Sequence, residues 1–360
     1  MLDKINFRQA TLPNFEEVIG RKEWVLWGQK NDLPQEFINK FEYSPLFRAC
    51  VLSKTDGVNG QRLIAEDPKD EMRLMMANPN ETVYDVFKKV SLDYILTGNF
   101  FLNVIWKEDR DLGIAEFYHV DSSTVRLGRK DDYGRITEAY VSPDWTNTRK
   151  YPSVEYPMFS IDNDKPSQIF HFSTYTPGSQ YYGLPEWIGA WNSINLETET
   201  RNYWLSNIQN GLNPSLFISL NNGQGTAEER DEVYSQLKDM YEGSDRAGGL
   251  MVSWNDSKDN APEITPINPN GTDTAWTVVS EFIQQDILSS MKISSPMILG
   301  IKTPGQLGGR DEIKTAADHF LKTVVVPIQK ILLGQFERIL FMRDQKVIKL
   351  EIVQNELISD

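Results

Sequence analysis

The chain has 360 residues, 40% of them hydrophobic, 11% aromatic and 24% charged, a balance that supports a sizeable core in two or three subdomains and excludes a disordered chain or a small stapled scaffold. A formal net charge of −14 argues against wrapping nucleic acid broadly, and the lone Cys50 excludes an intramolecular disulfide. The N-terminus lacks an apolar leader core, and no stretch approaches the ~18 apolar residues of a membrane span, so a soluble, unexported protein is expected.

Residues 1–42 are polar and irregular, with Pro13 and Pro34, and are expected to form an arm or peripheral strand. A helical pattern runs from Ser44 to the Gly57–Gly60 region and places Cys50 as a small buried hydrophobe. A second helix follows Thr82, with Val83, Val86, Phe87, Val90, Tyr94 and Ile95 on one face. Between Asn99 and Val141 the β-forming runs FFLNVIW, IAEFYHV, STVRL and ITEAYV alternate with turn-like segments and predict a small antiparallel sheet, with a further short strand at Gln168–Phe172.

Pro185 and Glu186 suit the first turn of a helix carrying Trp187, Ala190, Trp191, Ile194, Trp204, Leu205 and Ile208. A β-α-β unit follows: a strand over 214–220, a helix opened by the capping box Thr226-x-x-Glu229, and a strand over 249–254. Asp273 or Thr274 then caps a helix with Trp276, Val279, Phe282, Ile283 and Ile287. Two helices thus bracket an α/β module.

Next comes KISSPMILGIKTPGQLGGR, in which Lys292, Lys302 and Arg310 bring three positive charges and no acidic residue. Pro304 and the glycines Gly305, Gly308 and Gly309 make it a flexible loop suited to weak, salt-dependent contact with a polyanion. Lys292 either joins that contact or closes the preceding helix. A long helix follows, with an apolar stripe from Ile313 through Phe320, Val324, Ile328, Leu332 and Phe336 to Leu340. Pro327 interrupts it in mid-run and should bend it, because a proline removes one ladder bond and crowds the turn before it. The tail offers one strand, VIKLEIV.

Catalytic signatures do not emerge: no Walker loop, HExxH, GxSxG or CxxC is present. His119, His171 and His319 stand far apart in packing contexts, and the acidic pairs Glu228–Glu229, Asp231–Glu232 and Asp311–Glu312 are assigned to first helical turns, where the helix dipole favours carboxylates. No metal, cofactor or catalytic residue is therefore expected. An enzyme handling nucleotides or phosphates at the glycine loop, or a monomeric adaptor, stands as the alternative.

Six blocks, in order, resemble the portal proteins of tailed bacteriophages, of the short HK-type group. They are SPLFRACVLSKTDGV, NPNETVYDVFKKVSLDYILTGNFFLNVIW, GIAEFYHVDSSTVRL, YYGLPEW, IQNGLNPSLFISL with DMYEGSDRAGGLMVSW, and the proline-interrupted last helix; together they cover most of residues 43–341. The resemblance implies an α+β portal fold: a wing of helices and a small antiparallel sheet over 43–186, stem helices over 187–211 and 272–293, and an α/β clip over 212–271. It further implies a tunnel loop over 294–309, a kinked helix over 310–341, and a minimal or absent crown in the twenty or so residues that follow.

It also implies a dodecameric ring of identical subunits around a double-stranded DNA channel at one capsid vertex of the virion, made in the host bacterial cytoplasm. Its partners would be the terminase large subunit, the major capsid protein and a head-tail adaptor, with no membrane involved. Lys292, Lys302, Thr303, Gln306 and Arg310 would face the DNA without reading its sequence, Pro327 would set the kink, and Glu232, Lys238 and Asp239 would lie on the partner-docking clip.

Overall fold

The computed structural model describes residue 15 and residues 17–20, 22–209, 216–220, 225–241, 250–254, 272–301 and 310–355. These fall into two compact units, one made of residues 1–194 with 284–360 and the other of residues 195–283. No helix among the described residues is long and apolar enough to cross a membrane.

The first unit opens with a departure from the expected arm. Trp27 is 1% exposed and stacks on Tyr182 with ring centroids 4.2 Å apart, and helix α1 spans Leu33–Tyr43. Hydrophobic pattern alone missed this because the buried residues are spread thinly among charges that stay at the surface. The guanidinium of Arg126, 2% exposed, donates to the Asn31 carbonyl at 2.8 Å and to its side-chain oxygen at 2.5 Å, which ties the segment to the sheet region.

Helix α2 spans Pro45–Asn59, opened by the Ser44 hydroxyl accepting from the Phe47 N–H at 3.1 Å and closed by Gly60. Cys50 is fully buried on it, as expected. Helix α3, Val83–Thr97, starts with a reciprocal capping box between Thr82 and Asp85 and ends on Gly98 at φ 73°. A side chain there would put its Cβ 2.8 Å from the Leu184 carbonyl oxygen, so only glycine fits.

The β region forms two sheets rather than the one expected. Strand β1 is Arg62–Ala65, β2 Asn99–Trp106, β3 Ile114–Val120, β4 Val125–Leu127, β5 Glu138–Val141, β6 Val154–Pro157 and β7 Ser167–Ser173. The central β2 pairs antiparallel with β3 and β7, while β4-β5-β6 makes a separate antiparallel sheet. A 3₁₀ turn at Ser122–Thr124, opened by the Asp121 carboxylate accepting from the Ser123 N–H at 2.8 Å, re-aims the chain between β3 and β4.

Pro185 and Glu186 open a 3₁₀ turn (Glu186–Ala190) instead of an α-helix, and helix α4 runs Trp191–Gln209, four residues later than the stem start expected at 187. Trp187, Ala190, Trp191 and Ile194 are buried, and the Trp187 indole N–H donates to the Leu96 carbonyl at 3.0 Å.

In the second unit, β8 (Leu216–Leu220) pairs in parallel with β9 (Leu250–Trp254), and α5 spans Ala227–Tyr241 between them. The expected β-α-β unit and its capping box are present: the Thr226 N–H donates to Glu229 at 2.8 Å and the Glu229 N–H to the Thr226 hydroxyl at 3.3 Å. Helix α6 spans Thr272–Ser290, so Asp273 and Thr274 sit inside its first turn rather than capping it.

Returning to the first unit, α7 (Arg310–Phe320), a π-helical turn (Leu321–Val325) and α8 (Val326–Asp344) form one uninterrupted helical run. Phe336 is fully buried against Phe87 and Phe117, at centroid distances of 5.3 and 6.2 Å. The tail strand β10, Leu350–Val353, pairs antiparallel with β1.

Candidate functional site

The basic loop begins where α6 ends, and the end is shaped by Lys292. This residue has φ 59°, its N–H donates to the Ser289 carbonyl at 3.0 Å, and the next N–H, of Ile293, reaches back to the Leu288 carbonyl at 2.9 Å. That paired pattern is the Schellman closure, here with lysine where glycine is usual. Its ammonium is 2.9 Å from one carboxylate oxygen of Glu186, whose other oxygen is 2.9 Å from the ammonium of Lys54. Of the two roles open to Lys292 in the sequence, the geometry favours closing the helix.

Lys54 on α2 has a side chain only 3% exposed. Burial lowers its pKa, an effect that Glu186 opposes. For Glu186 burial pushes the other way, but Lys54 and Lys292 outweigh it and hold the carboxyl below its ordinary value. The three charges therefore join α2, the Pro185–Glu186 corner and the end of α6 into one junction at the root of the loop. Sequence reading missed the junction, because Lys54 and Glu186 are 132 residues apart; the signal that was available is a lysine amid the buried face of α2.

Beyond Lys292 the chain makes a 3₁₀ turn over Pro296–Leu299, opened by the Ser295 hydroxyl and closed by Gly300 at φ 73°. Lys302, Thr303 and Gln306 lie outside the described residues, as does the side chain of Arg310, whose backbone opens α7. Pro327 is the second residue of α8, directly after the π turn. On α5, Glu232 is exposed, and the side chains of Lys238 and Asp239 lie outside the described residues.

His171 and His119 sit in packing contexts. Burial pushes His171 down to about 3; its Nε2 faces the side-chain oxygen of Asn99 at 3.1 Å, and its ring stacks on Phe101 at 4.5 Å. His119 Nε2 and the Ser122 hydroxyl both bond the same oxygen of Asp93, at 2.9 and 2.7 Å. The imidazole bonds the carboxylate rather than the hydroxyl, and Ser122 is 1% exposed, so the trio is not arranged as a nucleophilic triad. Glu228–Glu229 and Asp311–Glu312 open helices as expected, whereas Asp231–Glu232 falls past the first turn of α5.

A further surface was not anticipated. On α6, Val278 and Phe282, one turn apart, are 59% and 63% exposed, while Ile283 and Ile287 are buried. On α4, Leu196 and Tyr203, two turns apart, are 50% and 49% exposed; Trp204 and Leu205, read from the sequence as part of one apolar helix, are 37% and 54% exposed. Such stripes on a folded chain point to a protein partner.

Residues 53–358 match the family model described as phage portal protein. An uncharacterized protein of Rickettsia bellii (strain RML369-C) is 25% identical over 269 residues, which is 71% of this chain; the chain spans 61% of that relative's length. Among solved structures, a chain from the virion of a native gene transfer agent particle superposes with a TM-score of 0.60 at 16% identity, covering 94% of this chain and 86% of that one. A chain from the neck of the native particle, computed with C12 symmetry, gives 0.57 at 15% identity, again over 94% and 86%. These likenesses show a shared fold of helices and small antiparallel sheets.

Proposed function

The chain belongs to the phage portal protein family, and on that premise we propose that it assembles into a ring, a dodecamer, forming the DNA channel at one vertex of a capsid. The observation that carries the ring is the exposed apolar stripe of Val278 and Phe282 on α6, with Leu196 and Tyr203 on α4. Covering such half-exposed side chains gains roughly 1 kcal/mol each, and closed rings of identical copies cover them repeatedly. The C12 symmetry of the neck from a structurally similar particle supports twelve subunits.

In this role the chain takes part in packaging, retention and ejection of double-stranded DNA and in head-tail joining, and it is structural rather than catalytic. Lys302 and Arg310 supply backbone contacts in the channel, in the segment that also holds Thr303 and Gln306. A net charge of −14 keeps the remaining contact weak enough for sliding. Lys292, engaged with Glu186, shapes the root of that loop. Residues 212–271, with Glu232, Lys238 and Asp239, form the clip on which the terminase large subunit and the head-tail adaptor dock, and the wing meets the major capsid protein.

Electron-microscopy class averages of the purified protein test the ring directly. Closed rings with a central hole are expected; monodisperse monomers at micromolar concentration in both low and moderate salt would overturn the proposal.

A further inference from the structure

One short segment of the first unit puts three methionines on the surface. Met72, Met75 and Met76 are 81%, 60% and 61% exposed, whereas Met291 is 1% exposed. Met72 lies in a 3₁₀ turn over Pro68–Leu74, and Met75 closes that turn with its N–H on the Met72 carbonyl. Residues three apart eclipse one another in this geometry, so Met72 and Met75 share a face and Met76 adjoins them. The inward positions, Leu74 and Ala77, are 5% and 2% exposed.

The backbone beneath these side chains is pinned from two directions. The Arg343 guanidinium donates to the Arg73 and Met76 carbonyls, each at 2.6 Å, and the Phe117 N–H on β3 donates to the Ala77 carbonyl at 3.0 Å. Asp70, 4% exposed, holds the Lys346 ammonium with both carboxylate oxygens at 2.7 Å. The fold thus fixes this segment through main chain and charged groups and leaves the three thioethers largely in solvent.

We propose that Met72, Met75 and Met76 are an oxidant-sensitive modification site: a hydroperoxide converts them to sulfoxides ahead of buried Met291, turning an apolar patch polar while the fold stays intact. The thioether sulfur attacks the outer oxygen of the peroxide, the O–O bond breaks and an S–O bond forms. Sulfur loses two electrons and the peroxide gains them; with hydrogen peroxide, the departing hydroxide takes the proton of the transferred oxygen and leaves as water. Access to sulfur sets the order of attack, which is why exposure separates these three from Met291. Each product is polar and accepts hydrogen bonds, so the patch loses its apolar character, and sulfoxide reductases reverse the change. The inference stands whether or not the chain forms a ring.

The test is a time course of the full-length protein in hydrogen peroxide, read by peptide mass spectrometry. Sulfoxide should accumulate at Met72, Met75 and Met76 at least about tenfold faster than at Met291. At that stage the denaturant midpoint should be unchanged and retention on a hydrophobic-interaction column should fall, to be restored by methionine sulfoxide reductases. A variant carrying Met72→Leu, Met75→Leu and Met76→Leu should keep its retention in peroxide; if it does not fold, the rates, midpoint and retention of the unmodified chain decide. Equal rates at the exposed and buried positions, a lowered midpoint, or retention that peroxide leaves unaltered overturns the proposal.

Discussion

Lys54, whose side chain is 3% exposed, keeps its ammonium 2.9 Å from Glu186, whose side chain is 41% exposed. The lysine is thus committed to the interior by a carboxylate that still reaches water and holds Lys292 with its second oxygen.

Glu186→Gln should therefore destabilise the fold. Truncating one member of a fully buried pair costs roughly 3–5 kcal/mol, and solvent access at Glu186 reduces this to about 2 kcal/mol. Denaturant unfolding measures the loss, and Lys54→Met added to Glu186→Gln should restore part of it. Equal stability of Glu186→Gln and the unmodified chain would show that Lys54 finds another partner.

The cap of α3 gives a pH signature. Hydrogen bonds from Lys88 and Thr82 hold Asp85 down to about 2, below its ordinary value of 3.8. A depressed carboxylate contributes stability that is present above pH 3.8 and is lost as the pH falls toward 2. Thr82→Ala should cost about 1 kcal/mol at neutral pH. It should also flatten the decline in stability between pH 4 and 2; an unchanged acid limb would rule out the capping box as its source.

Val278→Asp with Phe282→Asp should weaken assembly at least tenfold, since the two covered side chains together contribute more than about 1.4 kcal/mol. Mass photometry across a dilution series would register smaller species, while circular dichroism should stay unchanged. Rings of normal size and stability in the double variant would assign the stripe to something other than subunit contact.

Replacing both Lys302 and Arg310 with alanine should leave rings intact but alter packaging rate or DNA retention. The difference from the unmodified protein should shrink as salt rises, and the slope of DNA affinity against salt should fall by up to about two phosphate contacts per subunit engaged. Normal packaging and retention at low salt would remove these two residues from the channel.

Local chemistry was legible in the residues themselves. The Thr226–Glu229 box, the Gly60 stop, the β-α-β unit and the apolar stripe through Phe336 all depend on spacings of three or four residues or on alternation, which chain order carries directly. The ordered blocks were likewise enough to indicate the portal family, because their succession is itself a property of sequence. Tertiary structure alone decided the rest. Whether β4 joins β2 or starts a second sheet, whether Trp27 is buried, and whether Lys292 contacts Glu186 all turn on partners that lie far away in the chain. The same holds for Pro327, whose crowding of the preceding turn was foreseeable while its resolution was not. The π turn over Leu321–Val325 sits directly ahead of this proline, and the form the relief takes depends on how the helix packs on α2, where a Cβ on Gly57 would lie 3.0 Å from Val325 Cγ2.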